Sequence, residues 1–314
     1  MTTYKEINGT NIEAVSTDPA NPVTGQVWYN TTDNVLKGAA LVSSWATASG
    51  MNTTRTSLAG TGVQTSALAF GGQPVGPNMS ATESYNGTSW TSVSSMNTQR
   101  RDFGGAGVSN TSALAVAGQT NPDGYTANVE SWGGSSWTEI ANVNTGRRGG
   151  GTSGTQTSAL ISGGSQEGGA GTVANTEAWN GSSWTEVADL NTARSPSQAS
   201  GSSNSAQLNV KSPTVEQYNG TSWTAVANLN TARSPVGMAG TSTSALGAGG
   251  PSDSALTELW NGSAWTETGD LNTGRSGLQG AGTVTAAVVF GGGPGPATEE
   301  FTGNVVTAVT FTDS

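Results

Sequence analysis

The chain has 314 residues, of which 46 are Gly and only 10% are charged, with 33% hydrophobic content and a formal net charge of −10. It holds neither Cys nor His, which excludes disulfides, thiolate nucleophiles, Cys or His zinc sites and Ser-His-Asp chemistry, and its acidic balance argues against a nucleic-acid partner, because grip on phosphate comes from Lys and Arg. No 18-residue apolar run occurs, and the N-terminal MTTYKEINGT has no basic stretch leading into an apolar one, so neither a membrane-inserted helix nor a secretion signal is expected.

Residues 1–40 stand outside the repeat that fills the rest of the chain. DPANPVTGQVWYNTTDNVLKG, Asp18 to Gly38, reads as two prolines in an extended lead, a Gly turn, an apolar-aromatic strand from Gln26 to Asn30, an Asp-Asn turn and a second strand from Val35 to Lys37. The pattern P-x-x-G-x-x-W-Y-N-T-x-x-x-x-L-K resembles a small hairpin module frequent in tail and fibre proteins of tailed phages. The resemblance is confined to this stretch and implies an arm attached to other virion proteins, with Trp28 and Tyr29 at the attachment surface. The plain alternative is an ordinary hairpin that packs the same two aromatics against the rim of the repeated region.

From Leu41 onward one unit recurs, marked by Trp45, Trp90, Trp137, Trp184, Trp223 and Trp265 at steps of 45, 47, 47, 39 and 42 residues. That spacing suits a propeller blade or a solenoid coil. Six Asn-Thr-x-Arg segments open the units, starting at Asn52, Asn97, Asn144, Asn191, Asn230 and Asn272. Each is followed by a small-residue run such as SLAGTGV, an apolar run such as TSALAFGG, an acidic-aromatic run such as ESYNG, and SWTSV. The runs are short and Gly-punctuated, which predicts four strands joined as a meander. Asn-Gly at Asn86, Asn180, Asn219 and Asn261 predicts a tight hairpin with positive φ at both positions.

The Gly pairs after the second strand (Gly71-Gly72, Gly163-Gly164, Gly249-Gly250, Gly291-Gly292), followed in all but the last by a Tyr or Trp and a later Trp, resemble kelch repeats. The resemblance implies an all-β, six-bladed kelch-like β-propeller over residues 41–314 behind a short N-terminal β-hairpin arm over 1–40. Kelch-like propellers include copper radical oxidases, whose His and Cys ligands this chain lacks. The fourth unit reads Asn209-Val210-Lys211 where the Gly pair should stand, so an irregular blade is expected there. Two segments compete for the last outer strand, Val305 to Phe311 and Leu41 to Thr47. The C-terminal one is favoured because it would complete the sixth unit from its own residues, although the Trp45 segment matches the repeat better.

A meander places the second-to-third loops and the Asn-Thr-x-Arg connections on one face. These loops differ where the rest of the unit repeats: Gln73 to Ser80, Gln119 to Asn128, Ser165 to Asn175, Ser212-Pro213, Pro251 to Ala255 and Gly293 to Ala297. Variable loops on a rigid scaffold are where binding resides, so this lower face is the candidate surface, with Asn121, Asp123, Tyr125, Glu167 and Asp253 as binding residues. Six of the eight arginines repeat (Arg55, Arg100, Arg147, Arg194, Arg233, Arg275), and a Glu opens each third strand (Glu83, Glu130, Glu177, Glu216, Glu258, Glu299). Six Arg-carboxylate pairs stitching the blades are the preferred reading; a ring of arginines holding an anion at the channel mouth is the sharper one. The repeated Trp residues are read as packing between blades.

No unrepeated pair of carboxylates points to one cleft, and no catalytic residue, metal site or cofactor is assigned. The expectation is a non-enzymatic virion structural protein, a tail, fibre or decoration component, whose arm meets other virion proteins and whose propeller meets a host-surface glycan or protein. No membrane insertion is expected; a homo-oligomer is compatible with this reading. The competing expectations are a bacterial surface or periplasmic kelch-like binding module and a virion polysaccharide-degrading enzyme.

Overall fold

A computed structural model of the chain describes residues 12–74, 76–120, 124–168, 171–234 and 237–311, the side chains of 41 and 304–307 excepted. Each repeat folds into a four-stranded antiparallel sheet. In blade one the four runs become Ala59–Val63, Ser66–Phe70, Thr82–Tyr85 and Trp90–Val93, hydrogen-bonded in that order. Ala67 to Phe70 are buried without alternation because the second strand is covered on both sheet faces, the condition under which a strand reads as a continuous apolar run. The first strands of blades one to six, Ala59–Val63, Gly104–Ser109, Gly151–Thr155, Gln198–Ser203, Gly237–Gly240 and Gln279–Gly282, neighbour one another in a closed ring. Ser44–Thr302 thus forms a six-bladed β-propeller; Met1–Ser43 with Gly303–Ser314 forms a second compact unit.

Ring closure corrects the preference for a C-terminal outer strand. The third strand of blade six starts at Thr298 and runs without a turn to Thr310, so residues 305–311 do not fold back as a fourth strand. The reason lies in the repeat Trp: the last repeat has Val306 at that position, whereas Trp45 packs on Phe301 and donates to Thr257 of blade five as Trp90 does to Thr298 of blade six. The fourth strand is instead the Trp45 segment, at the end of Val35–Ala48. Asn272 Nδ2 donates to the Trp45 carbonyl at 3.0 Å, as Asn52 does to that of Trp90 at 3.2 Å. The two ends of the propeller sequence therefore meet in one blade.

The hairpin expectation also needs correction. Strand three of blade one ends at Tyr85 and strand four begins at Trp90, so the connection is a four-residue loop. Within it Gly87 alone has positive φ, +88°, while Asn86 acts through its side chain. Blade four, expected to be irregular, is a complete sheet of Gln198–Ser203, Ala206–Lys211, Thr214–Tyr218 and Trp223–Val226. Loss of the Gly pair shortens its second-to-third connection to a hairpin between Lys211 and Thr214.

Blades are joined by side chains at both ends of their strands. Trp90 packs 4.9 Å from Phe290 and Trp137 packs 5.0 Å from Phe70, each reaching the second strand of the preceding blade. Their indole N–H groups donate to Thr298 and Thr82 in those same blades. At the opposite end Asn110, Gln156 and Asn204, in the first-to-second turns, donate to the carbonyls of Tyr85, Trp132 and Trp179. Close approach sets the small residues of the first strands: a Cβ on Gly60 would run into the Phe290 ring of blade six.

In the arm unit Glu13–Val15 pairs in parallel with Val27–Asn30, which turns back through Asn34 (φ 58°) onto the strand from Val35. Asp18 fastens the hairpin. Its carboxylate accepts from Trp28 Nε1 at 3.0 Å, Asn30 Nδ2 at 2.8 Å and Lys37 Nζ at 2.8 Å. Trp28, expected at the attachment surface, is fully buried, and only Tyr29 is presented to solvent.

Candidate functional site

The six repeat arginines and six repeat glutamates are buried and joined pairwise: Arg55 to Glu83 at 2.9 Å, and Arg100, Arg147, Arg194, Arg233 and Arg275 to Glu130, Glu177, Glu216, Glu258 and Glu299. Each pair lies within one blade, but its Arg bridges two. The Arg100 backbone donates to Met79 O and accepts from Gly72 N in blade one, while its guanidinium bonds Ala117 O, Asn128 O and Glu130 in blade two. Arg55 repeats this across the closure, accepting from Gly292 N of blade six. Burial pushes the Arg55 guanidinium down to about 10, with the Glu83 carboxylate opposing it; Arg100, Arg147, Arg194 and Arg275 are lowered by the same cause against the same opposition. A central channel of about 220 Å³ is lined by the first strands, and among its lining residues Asp102 alone is charged. The repeat arginines turn away from it into the blades.

The second-to-third loops and the connections after each repeat Arg do share one face. They are zipped by pairs of backbone hydrogen bonds: Thr56 with Gln73, Arg101 with Gln119 and Arg148 with Ser165. These pairings hold the position after each repeat Arg beside the position after each Gly pair. Elsewhere the first position is Thr56, Ser195, Ser234 or Ser276; in blades two and three it is Arg101 and Arg148. Each of these arginines reaches back one blade. Arg101 Nη1 donates to Gln73 Oε1 at 2.5 Å and its Nε to Gln119 Oε1 at 3.2 Å; Arg148 Nη1 donates to the same Gln119 oxygen at 2.6 Å. The Arg148 guanidinium also lies over the Tyr125 ring, 5.1 Å from its centroid, a cation-π geometry.

Of the residues expected to bind, Tyr125 and Glu167 come together here, the Tyr125 N–H donating to Glu167 Oε1 at 2.7 Å. Asp253 lies apart, in blade five, where its carboxylate accepts from Ser276 Oγ at 2.8 Å. Asn121 and Asp123 fall outside the described residues. Arg101, Arg148, Gln73 and Gln119 were not among the expected residues. The signal was in the chain: the doublets Arg100-Arg101 and Arg147-Arg148 follow two of six otherwise equivalent openings.

No family model matches the chain, and neither does any curated protein sequence. Among solved structures, one titled "Structure of YjhT" superposes on 83% of this chain and 99% of its own with a TM-score of 0.66 at 12% identity. At that identity the likeness is one of fold, and it agrees with the propeller described above.

Proposed function

We propose that the protein is a non-enzymatic binding propeller of a tailed-phage particle, a tail, fibre or decoration component, which uses no cofactor and is carried in the virion. The arm seats it on other virion proteins, and the lower loop face meets a partner on the host surface. The reading rests on one observation: the scaffold repeats position by position, while loop length and polar side chains depart from the repeat together on a single face. Placement in a particle is supported by the Trp28-Tyr29-Asn30-Thr31 hairpin pattern. Tyr29, exposed beside the buried Trp28, is the arm's outward aromatic.

Antibody to the propeller, applied to intact particles and followed by electron microscopy and adsorption assays, tests both parts. Labelling at a tail or fibre with adsorption blocked is the expected result. Labelling elsewhere with adsorption intact would restrict the protein to decoration, and particles that take no label would overturn the assignment.

A further inference from the structure

We propose that Arg101 and Arg148 form a carboxylate-binding site on the lower face, and that the ligand is the acidic sugar of a surface glycan. The inference deepens the reading of that face as the binding surface and rests on it. Two cations donate to one amide oxygen, Gln119 Oε1, so the scaffold holds like charges side by side, an arrangement that repels itself until an anion joins it. Gln119 is itself 5% exposed, so the shared acceptor is a fixed part of the blade. Among the described residues one carboxylate stands at ion-pair distance from either arginine, Asp102, 3.8 Å from Arg101 Nε and partly exposed; Glu167 is held in the same cluster by the N–H of Tyr125, over whose ring Arg148 lies. Arg101 Nη2 and Arg148 Nε and Nη2 bond nothing among the described residues. A planar guanidinium with such donors to spare suits a carboxylate, which it can grip in two places.

The contrast with the repeat arginines separates this pair from the scaffold. Each repeat Arg is buried with its own Glu, whereas Arg101 and Arg148 are only partly buried and occupy positions where the other blades carry Ser or Thr. Two cations held side by side, with one partly exposed carboxylate in ion-pair reach, on a chain of net charge −10 point to an anionic ligand. The surroundings favour a sugar over a protein. Around the arginines stand Gln73, Thr120 and Ser165, which offer an amide and hydroxyls to sugar hydroxyls, and no exposed large apolar side chain of the described residues lies on these loops. A protein interface would want such an apolar centre.

The test is calorimetric titration of the full chain with tetragalacturonate, with its fully methyl-esterified form and with inorganic phosphate. Saturable binding of tetragalacturonate is expected, with none for the ester. Arg148→Gln and Arg101→Gln should each weaken it by roughly tenfold or more, and Arg148→Lys by less, since it keeps charge but loses the fork. Unchanged thermal unfolding of all three variants keeps the comparison a measure of binding. The proposal is overturned by no saturable binding up to about 10 mM, far beyond any specific affinity, by equal binding of the ester, by phosphate binding as tightly as the sugar, or by unaltered affinity in both Gln variants. Should antibody to the propeller block adsorption while tetragalacturonate fails to bind, this site falls and the display reading stands; binding without any effect on adsorption gives the reverse.

Discussion

A guanidinium shut away from water has to have its charge matched and its donors met, and Arg100 does both with four groups, Thr98 O, Ala117 O, Asn128 O and Glu130. The carboxylate in turn accepts from the N–H groups of Asn97 and Thr98, so the connection is held from both sides. Removing Glu130 leaves the buried cation without its paired carboxylate, which costs about 3–5 kcal/mol; Glu130→Ala should show that loss in urea unfolding. Arg100→Lys keeps the charge, but a single ammonium cannot span the two carbonyls and the carboxylate, and we expect it to cost about 2 kcal/mol. In the arm the equivalent role falls to Asp18, whose hydrogen bonds from Lys37 above all, then Asn30 and Trp28, hold its carboxyl down at about 2 against an ordinary 3.8. A lowered folded value means that this stabilisation is complete above the unfolded value of 3.8 and is lost as pH falls through about 2. The Trp28 indole N–H resonance should therefore shift in that window, and Asp18→Asn should remove the titration.

The strand is the scale at which the sequence was most informative, because a strand that repeats six times reports its period, its burial and its turns independently in each copy. Thr65 to Gly72 could be read as a buried second strand from apolar content alone, and Glu83 and Arg55 could be paired from their co-occurrence. Closure was harder, since it depends on which of two chain ends is nearer in space. The local clue was that the Trp45 segment keeps the repeat Trp where the C-terminal segment has Val306. Arg101 and Arg148 escaped for the opposite reason: they break the repeat at positions where the other blades carry Ser or Thr, and their convergence on Gln119 needs the blades in place. The closing strand has its own test. Removing residues 1–48 deletes the outer strand of blade six and leaves Asn272 Nδ2 without the Trp45 carbonyl and Phe301 without its ring contact at 5.0 Å. A chain lacking 1–34 keeps that strand. Thermal unfolding should find the 35–314 chain close to the parent in its propeller transition and the 49–314 chain unfolded or aggregated, because an exposed edge and an opened hydrophobic seam appear together.

A ring of near-identical blades is as strong as its weakest seam, and the seam between blades three and four is built unlike the others. Where blade one has Ala67 and Ala69, blade four has Gln207 and Asn209, both fully buried, and where blade one has Phe70, blade three has Ser162. These polar groups serve one another: Ser162 Oγ donates to Gln207 Oε1, Gln207 Nε2 donates to Ser153 Oγ at 2.9 Å and Leu160 O at 3.1 Å, and Asn209 Nδ2 donates to Ser162 Oγ at 2.7 Å. Asn209 Oδ1 is left without a partner. Such a network loses more when broken in part than when replaced as a whole, since each deleted member strands the groups it satisfied. Asn209→Ala removes the donor to Ser162 and should cost about 1–2 kcal/mol, and Gln207→Ala, which strands Ser153 and the Leu160 carbonyl, about 1–3 kcal/mol. The triple change Ser162→Val, Gln207→Ala, Asn209→Ala puts residue types of the other blades at these three positions, leaves Ser153 as the one side chain of the network to be met by water, and should recover most of what the singles lose, so the three effects will be far from additive. Urea unfolding of the singles and the triple measures this directly. Hydrogen exchange adds the location: amides of Ser158–Ser162 and Gln198–Ser203 should exchange faster in the parent than those of Ala59–Val63 and Ala286–Phe290, where Phe290 and Trp90 fill the seam, and the triple variant should remove the difference. If the triple change instead costs the sum of the singles, the polar seam is a source of the ring's stability and not its weak joint.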